Sequence, residues 1–212
     1  MNGQDRRDRL AAARLYLCTG IRDGAGDLAR FLDAVLGAGV DIVQMREKTA
    51  GFDVQREAAR VFRRLADVHA ALFIVNDDAN LAVSCDADGV HLGQEDESPK
   101  AARRLLGEDL LIGRSTHAPD ELLRALNEPV DYLGVGPVHA TPTKPGRVGV
   151  GLEYVRFAAA NASVPFFVTG GMDVSAIPPV LEAGASRVVV VRALTEAFDP
   201  AAATKELRAL LP

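Results

Sequence analysis

The sequence predicts an α/β fold, a single (β/α)8 TIM barrel, and three observations carry that prediction. Short β-branched runs recur eight times along 212 residues. Alanine-rich segments with helical periodicity separate them. Polar residues follow nearly every run, at the strand ends where barrels of this kind carry their chemistry. A doubly wound open sheet would instead gather its ligand residues around two loops at one switch point, which fits this distribution less well.

The first strand is "RLYLCT" (14–19). Residues 1–13 precede it as an exposed helical or frayed extension, and the barrel occupies 14–212. A helix "DLARFLDAVLGAG" (27–39) leads to the strand "DIVQM" (41–45). In the next helix, 53–70, Val54, Ala58, Val61, Phe62, Leu65 and Val68 keep the i, i+3/i+4, i+7 rhythm of one buried face. The strands "LFIVN" (72–76), "GVHL" (89–92), "LLIGRS" (110–115) and "DYLGVG" (131–136) follow, with helices at 98–107 and 118–127. A helix at 151–162, "PFFVTG" (165–170), a helix at 173–185, "RVVVV" (187–191) and a helix at 200–211 complete the alternation. The strands are nearly all apolar, as parallel strands covered on both faces must be. No linker or low-complexity stretch divides the chain.

Composition narrows the function classes. Apolar residues are 48% and charged ones 25%, enough to fill a core. A net charge of −5 forces no basic face, so nucleic acid is not an expected partner and any anion site must be local. No apolar run approaches the ~18–20 residues of a membrane span. Cys18 and Cys85 have no metal spacing and lie in or beside apolar segments, which predicts buried free thiols and a cytoplasmic setting.

The strand ends, read in order, form a coherent set. After strand 2 comes "QMREK" (44–48), where Arg46 and Lys48 point the same way in extended chain with Gln44 beside them. "NDD" (76–78) and "GQED" (93–96) put Asp77, Asp78, Glu95 and Asp96 on two adjacent loops. Carboxylates with few other ligands suit Mg²⁺, which keeps waters and is completed by substrate phosphates. Asp78 also has the position of a helix N-cap. His91 and His117 are isolated and read as packing or hydrogen-bonding residues. "TGG" (169–171) after strand 7 and Arg192 after strand 8 occupy the usual phosphate position of a barrel. Gly170 and Gly171 let backbone N–H groups approach an anion. Between the two regions lies "GVGPVHATPTKPGR" (134–147), whose prolines 137, 142 and 145 exclude helix and central strand and stiffen a loop bearing Thr141, Thr143 and Lys144. Two anion sites facing one cavity point to group transfer from a diphosphate to a phosphorylated acceptor.

From strand 1 to strand 8, roughly residues 14–195, the chain resembles the thiamine-phosphate synthase (thiamine-phosphate pyrophosphorylase) family. The motifs that carry the resemblance are "QMREK", "NDD…ADGVHLGQED", "IGRSTH", "YLGVGPVHATPTKPG" and "VTGGM", in that order. The resemblance implies condensation of a hydroxymethylpyrimidine diphosphate with a thiazole phosphate, giving thiamine phosphate and pyrophosphate. It implies that Gln44, Arg46, Lys48, Asn76, Ser115 and Lys144 hold the pyrimidine diphosphate, with Lys48, Ser115 and Lys144 as catalytic members. Asp77 and Asp96 would bind Mg²⁺; Thr141, Thr143, Gly171, Val191 and Arg192 would hold the thiazole phosphate. The family chemistry is dissociative, so neutralising the leaving group and orienting the nucleophile suffice, without a general base. Two alternatives share the fold: a related branch that isomerises the thiazole ring, and a binding barrel without turnover. The chain departs from the family pattern at Arg192, where serine is frequent, and over "PGRVGVGL" (145–152).

Overall fold

The computed structural model describes residues 1–22, 27–141 and 148–212. Its centre is a closed barrel of parallel strands in the order β1 to β8, with β1 hydrogen-bonded to both β2 and β8. The strands are β1 (Leu15–Thr19), β2 (Ile42–Met45), β3 (Leu72–Asn76), β4 (Gly89–Leu92), β5 (Leu111–Thr116), β6 (Tyr132–Val135), β7 (Phe166–Val168) and β8 (Val188–Val190). Every expected strand is present: β3 and β4 have the expected bounds, β5 is shifted by one residue, and the other five are shortened by a residue or more where the chain leaves the ladder. Helices α1 (Gly3–Ala12), α2 (Asp27–Gly37), α3 (Phe52–Val68), α4 (Ala79–Ser84) and α5 (Pro99–Leu106) belong to the first half. The second half carries α6 (Pro119–Ala125), α7 (Gly151–Asn161), α8 (Ile177–Glu182), α9 (Arg192–Thr195) and α10 (Pro200–Ala209). The short α4 is the helix that Asp78 was expected to open, whereas α9 was not among the expected helices.

Alternation along each strand divides the core in two. Leu15, Leu17, Val43, Phe73 and Val75 point out and pack under the helices. Tyr16, Ile42, Leu72, Ile74, Leu111, Tyr132 and Phe167 point in and fill the lower barrel. Tyr16, Tyr132 and Phe167 meet edge-on or tilted, with ring centroids 5.3–6.1 Å apart, the geometry that aromatic quadrupoles favour.

Three expectations are corrected by packing. Residues 1–13 are helical but not an exposed or frayed extension, because Leu10 and Ala13 are each only 2% exposed and belong to the inner cluster. Arg6 reaches Asp88 at 3.0 Å and Arg7 reaches Asp131 at 3.0 Å, so α1 is tied across the lower mouth of the barrel. Each carboxylate also takes a second arginine, Arg63 or Arg103, and a backbone N–H, from Phe73 or Ile112. In α3 the buried stripe is Ala59, Phe62, Leu65 and Ala66, while Val54 and Val68 are exposed. Small alanines face the barrel there, and the periodicity of larger residues overstated the width of the face. Cys18 is buried, but Cys85 is only half-buried at the end of α4; both are free thiols.

Candidate active site

Above the aromatic layer the inward-facing positions turn polar, and a cavity of about 360 Å³ opens among the C-terminal strand ends. Tyr16, Tyr132 and Phe167 form its floor; Cys18, Gln44, Asn76, His91 and Ser115 ring its wall. The period-2 alternation of strands puts them there: Cys18, Gln44 and Asn76 lie two residues beyond Tyr16, Ile42 and Ile74, Ser115 lies four beyond Leu111, and His91 two beyond Gly89.

On the β2 side, Gln44 is buried, donates from Nε2 to the Tyr16 hydroxyl at 2.8 Å and accepts at Oε1 from Cys18 Sγ at 3.1 Å. Arg46 leaves the ladder with its N–H on Thr19 O and lines the cavity. Glu47 folds the following turn by accepting from the Thr49 N–H and hydroxyl and from the Ala50 N–H. Those bonds, the Thr49 hydroxyl foremost, hold the Glu47 carboxyl below the usual range. Lys48, on the same turn, lies 3.1 Å from Asp77 Oδ2.

Asn76 ends β3 and lines the cavity, and Asp77 follows with φ +67°, its N–H on His91 O. A left-handed aspartate is uncommon, and here it turns the carboxylate towards Lys48 and Asp96. Burial pushes the Asp77 carboxyl up, the neighbouring Asp96 adds to the rise, and Lys48 opposes it. Asp96 Oδ2 accepts the Gly93 N–H at 2.6 Å. Arg114, buried on the outer face of β5, donates to Gly93 O at 2.7 Å and so fixes the turn that carries Asp96. Asp78 caps α4, accepting from Leu81 N–H at 2.9 Å, as its position predicts. Lys48, Asp77 and Asp96 stand beside the cavity rather than in its lining. No cluster of three or more His, Cys, Asp or Glu able to hold a metal occurs among the described residues. The set is two carboxylates, leaving further oxygen ligands to water or substrate.

Ser115 is buried on β5 with Oγ 2.9 Å from His91 Nε2, and His91 Nδ1 is 3.2 Å from the Tyr132 hydroxyl. Both histidines are hydrogen-bonded, as expected; His117 contacts Gly136 O and takes Glu121 on its N–H. An added Cβ at Gly113 would lie 2.2 Å from Tyr132 Cζ and 2.5 Å from His91 Nδ1, so only glycine leaves room for both rings inside the barrel.

On the opposite side, Gly170 and Gly171 have φ of +103° and +72° and line the cavity with Thr141, Val191 and Arg192. A Cβ at Gly170 would meet Pro137 at 2.5 Å. The β6–α7 loop is held there by the Val138 N–H on Thr169 O and the His139 N–H on Gly170 O. Val191 is the N-terminal flank of α9, and Arg192 is its first residue. Arg192 forms no ion pair among the described residues, Glu196 included, although Asp173 and Glu196 share the cavity wall. Asp173 is already engaged by the Ser175 and Ala176 N–H groups. Thr143 and Lys144 lie outside the described residues. The other predicted site residues gather on one face of the barrel, in or beside this cavity. Glu47, His91, Arg114 and the floor tyrosines are additions; Arg114 and His91 left one signal, a polar side chain inside an apolar strand.

The family model for thiamine monophosphate synthase matches residues 15–194. The chain belongs to the thiamine monophosphate synthase family. Among curated members, the thiamine-phosphate synthase of Streptomyces avermitilis is 53% identical over 202 residues, covering 94% of each chain. That of Thermobifida fusca is 52% identical over 205 residues, covering 95% of this chain and 94% of its own. A solved thiamine phosphate pyrophosphorylase from Pyrococcus furiosus is 30% identical, superposes with a TM-score of 0.84 and covers 96% of each chain. Family membership thus agrees with the motifs and with the barrel, and it favours neither the ring-isomerising branch nor a barrel without turnover.

Proposed function

We propose that this chain condenses a hydroxymethylpyrimidine diphosphate with a thiazole phosphate, releasing pyrophosphate, with Mg²⁺ held by Asp77 and Asp96. The observation that supports this most directly is the Lys48–Asp77–Asp96 group standing beside a cavity lined by Gln44, Arg46, Asn76 and Ser115. Burial and then the neighbouring Asp96 make a charged Asp77 costly, so a cation between the two carboxylates would be favoured, and an all-oxygen set with places left for water and phosphate suits Mg²⁺. Bound there, the ion would neutralise charge on the departing diphosphate.

The protein side of the reaction is positioning and charge. Arg46 and Lys48 would face the diphosphate from the turn after β2, Asn76 and Ser115 would donate from the cavity wall, and Lys144, outside the described residues, is assigned to the same group by the family motif alone. The C–O bond to the diphosphate breaks with its electron pair leaving on oxygen. The thiazole nitrogen then supplies the pair for the new C–N bond. Thr141, Thr143, Gly171, Val191 and Arg192 hold the acceptor phosphate so that this nitrogen faces the pyrimidine carbon. A neutral nitrogen nucleophile has no proton to lose, so the reaction asks no general base of the chain. We place the protein in the cytoplasm, a setting in which the thiols of Cys18 and Cys85 stay reduced.

The test is to mix the protein with both substrates and Mg²⁺ and to quantify thiamine phosphate and pyrophosphate. Equal amounts of the two products, lost on chelation and restored by Mg²⁺, are expected. Isomerised acceptor alone would move the chain to the ring-isomerising branch, and binding without product would make it a non-catalytic barrel.

A further inference from the structure

Five hydrogen bonds cross the barrel floor in series. Cys18 Sγ contacts Gln44 Oε1 at 3.1 Å, and Gln44 Nε2 contacts the Tyr16 hydroxyl at 2.8 Å. The Tyr16 and Tyr132 hydroxyls are 3.0 Å apart, Tyr132 is 3.2 Å from His91 Nδ1, and His91 Nε2 is 2.9 Å from Ser115 Oγ. The two ends that face substrate in the proposed function, Gln44 and Ser115, are thereby joined through three rings that do not belong to the predicted site.

We propose that His91 is a positioning residue, held by this chain as its Nε2–H tautomer, which keeps the Ser115 hydroxyl aimed into the cavity as a hydrogen-bond donor. The inference rests on the reading that Ser115 meets the pyrimidine diphosphate.

Proton accounting gives the direction. The Gln44 amide is oriented by the thiol proton on its oxygen, so its nitrogen must donate to Tyr16. Tyr16 is 1% exposed and already accepts from Gln44, so its own proton goes to Tyr132. Tyr132, fully buried, passes its proton towards His91 Nδ1. An imidazole that accepts at Nδ1 carries its proton at Nε2, where the partner is Ser115 Oγ. That oxygen now has an acceptor position filled by the protein, and its proton is free to face the diphosphate. Burial keeps both phenols protonated far above neutral pH, Tyr16 and Tyr132 alike, so each has a proton to pass along the chain. Bonds in series inside a low-dielectric floor also polarise one another. Space for the arrangement is reserved by Gly113, where a side chain would strike both His91 and Tyr132, and Gly134 leaves His91 a close but unobstructed fit.

The test combines kinetics with a tautomer measurement. His91→Leu should lower kcat roughly 10–100-fold, the scale on which orienting partners act, with acceptor KM unchanged. His91→Gln, which keeps an N–H near the position of Nε2, should recover most of that loss. In a Ser115→Ala background, His91→Leu should add little, because its route of action is gone. Melting curves of each variant separate a lost fold from a lost orientation. Nitrogen NMR of histidine-labelled wild type should show His91 protonated at Nε2, a readout that needs no substrate. An Nδ1–H tautomer, a fully additive double variant, or wild-type kcat in His91→Leu would overturn the proposal. A wild-type protein that shows Nε2–H but forms no thiamine phosphate would support the positioning and overturn the proposed function instead.

Discussion

Replacing Gly113 by alanine tests whether the floor of the barrel sets the geometry of the site. The new Cβ would lie 2.2 Å from Tyr132 Cζ, 2.5 Å from the Tyr132 hydroxyl and 2.5 Å from His91 Nδ1. Carbon atoms settle at about 3.5–4.0 Å, so the rings must retreat by more than about 1 Å. Tyr132 has nowhere to go: it is fully buried, 5.7 Å from the Phe167 ring and 6.1 Å from the Tyr16 ring. Overpacking of this kind costs about 1–3 kcal/mol. Alanine also stiffens the unfolded chain, which returns about 0.4–1 kcal/mol, so the clash prevails across most of that range. For a chain of this length about 2–4 °C of Tm accompanies each kcal/mol, giving a fall of up to roughly 10 °C. A retreating ring also breaks the 3.2 Å bond to His91, and kcat should fall by about tenfold or more in the folded variant. Calorimetry and steady-state kinetics on the same preparation check both. A variant with unchanged Tm and unchanged kcat would show that the floor is softer than close packing allows, and would refute the reasoning.

Asp77→Ala and Asp96→Ala should each lower kcat by at least ~10²-fold while the protein stays folded; near-wild-type rates in both would put the metal elsewhere. Arg192→Ser should raise KM for the thiazole phosphate several-fold, leave KM for the pyrimidine diphosphate unchanged and weaken the salt dependence of acceptor binding, since a charge-assisted bond is roughly twice a neutral one. Unchanged acceptor KM and salt dependence would leave the holding to the backbone. Asp131→Ala strips a carboxylate from two arginines and a backbone N–H; breaking a buried pair costs about 3–5 kcal/mol, so Tm should drop by roughly 6–20 °C, and a drop below about 2 °C would contradict this. Burial pushes the Tyr154 phenol up to about 12 and raises Tyr16 and Tyr132 as well. Unfolded tyrosines ionise near 10, so the folded chain keeps protons that the unfolded chain releases. Stability is then full below about pH 10 and falls as the pH rises beyond it; a Tm flat from about pH 9 to pH 12 would contradict it.

The barrel was legible because each strand is a run of apolar residues that cannot face water on either side. Counting those runs gave the number of strands, and their order gave the loops that meet at one end. Gln44 was legible as a polar residue near the end of such a run, whereas Asn76 and Ser115 were singled out by the family resemblance and prove to be inward-facing at their strand ends. The Asp78 cap was local chemistry and followed from sequence spacing. Contacts between distant strands were not legible. His91 meets Tyr132 across 41 positions and Tyr16 meets Tyr132 across 116; no local pattern encodes such a pair. The docking of α1 was hidden for the opposite reason, since a helix crowded with charge reads as solvated until its arginines find their carboxylates. In α3, Ala59 and Ala66 share the buried stripe with Phe62 and Leu65, while Val54 and Val68, read as part of it, stay exposed near the ends of the helix.

The helix across the lower mouth also sets an order of assembly. Arg6 is 82 positions from Asp88, and Arg7 is 124 from Asp131. At about 5–20 residues per second of synthesis, roughly 6–25 s separate Arg7 from the carboxylate that receives it. Helix α1 is therefore made well before it can be seated. It can wait safely, because Leu10 is the one large apolar side chain it buries, and so short a helix is marginal on its own. A nascent chain that has reached Asp88 but not Asp131 owns one clasp of two. Both clasps can therefore form only after synthesis has passed Asp131, and a chain cut short before that point leaves α1 without a full seat.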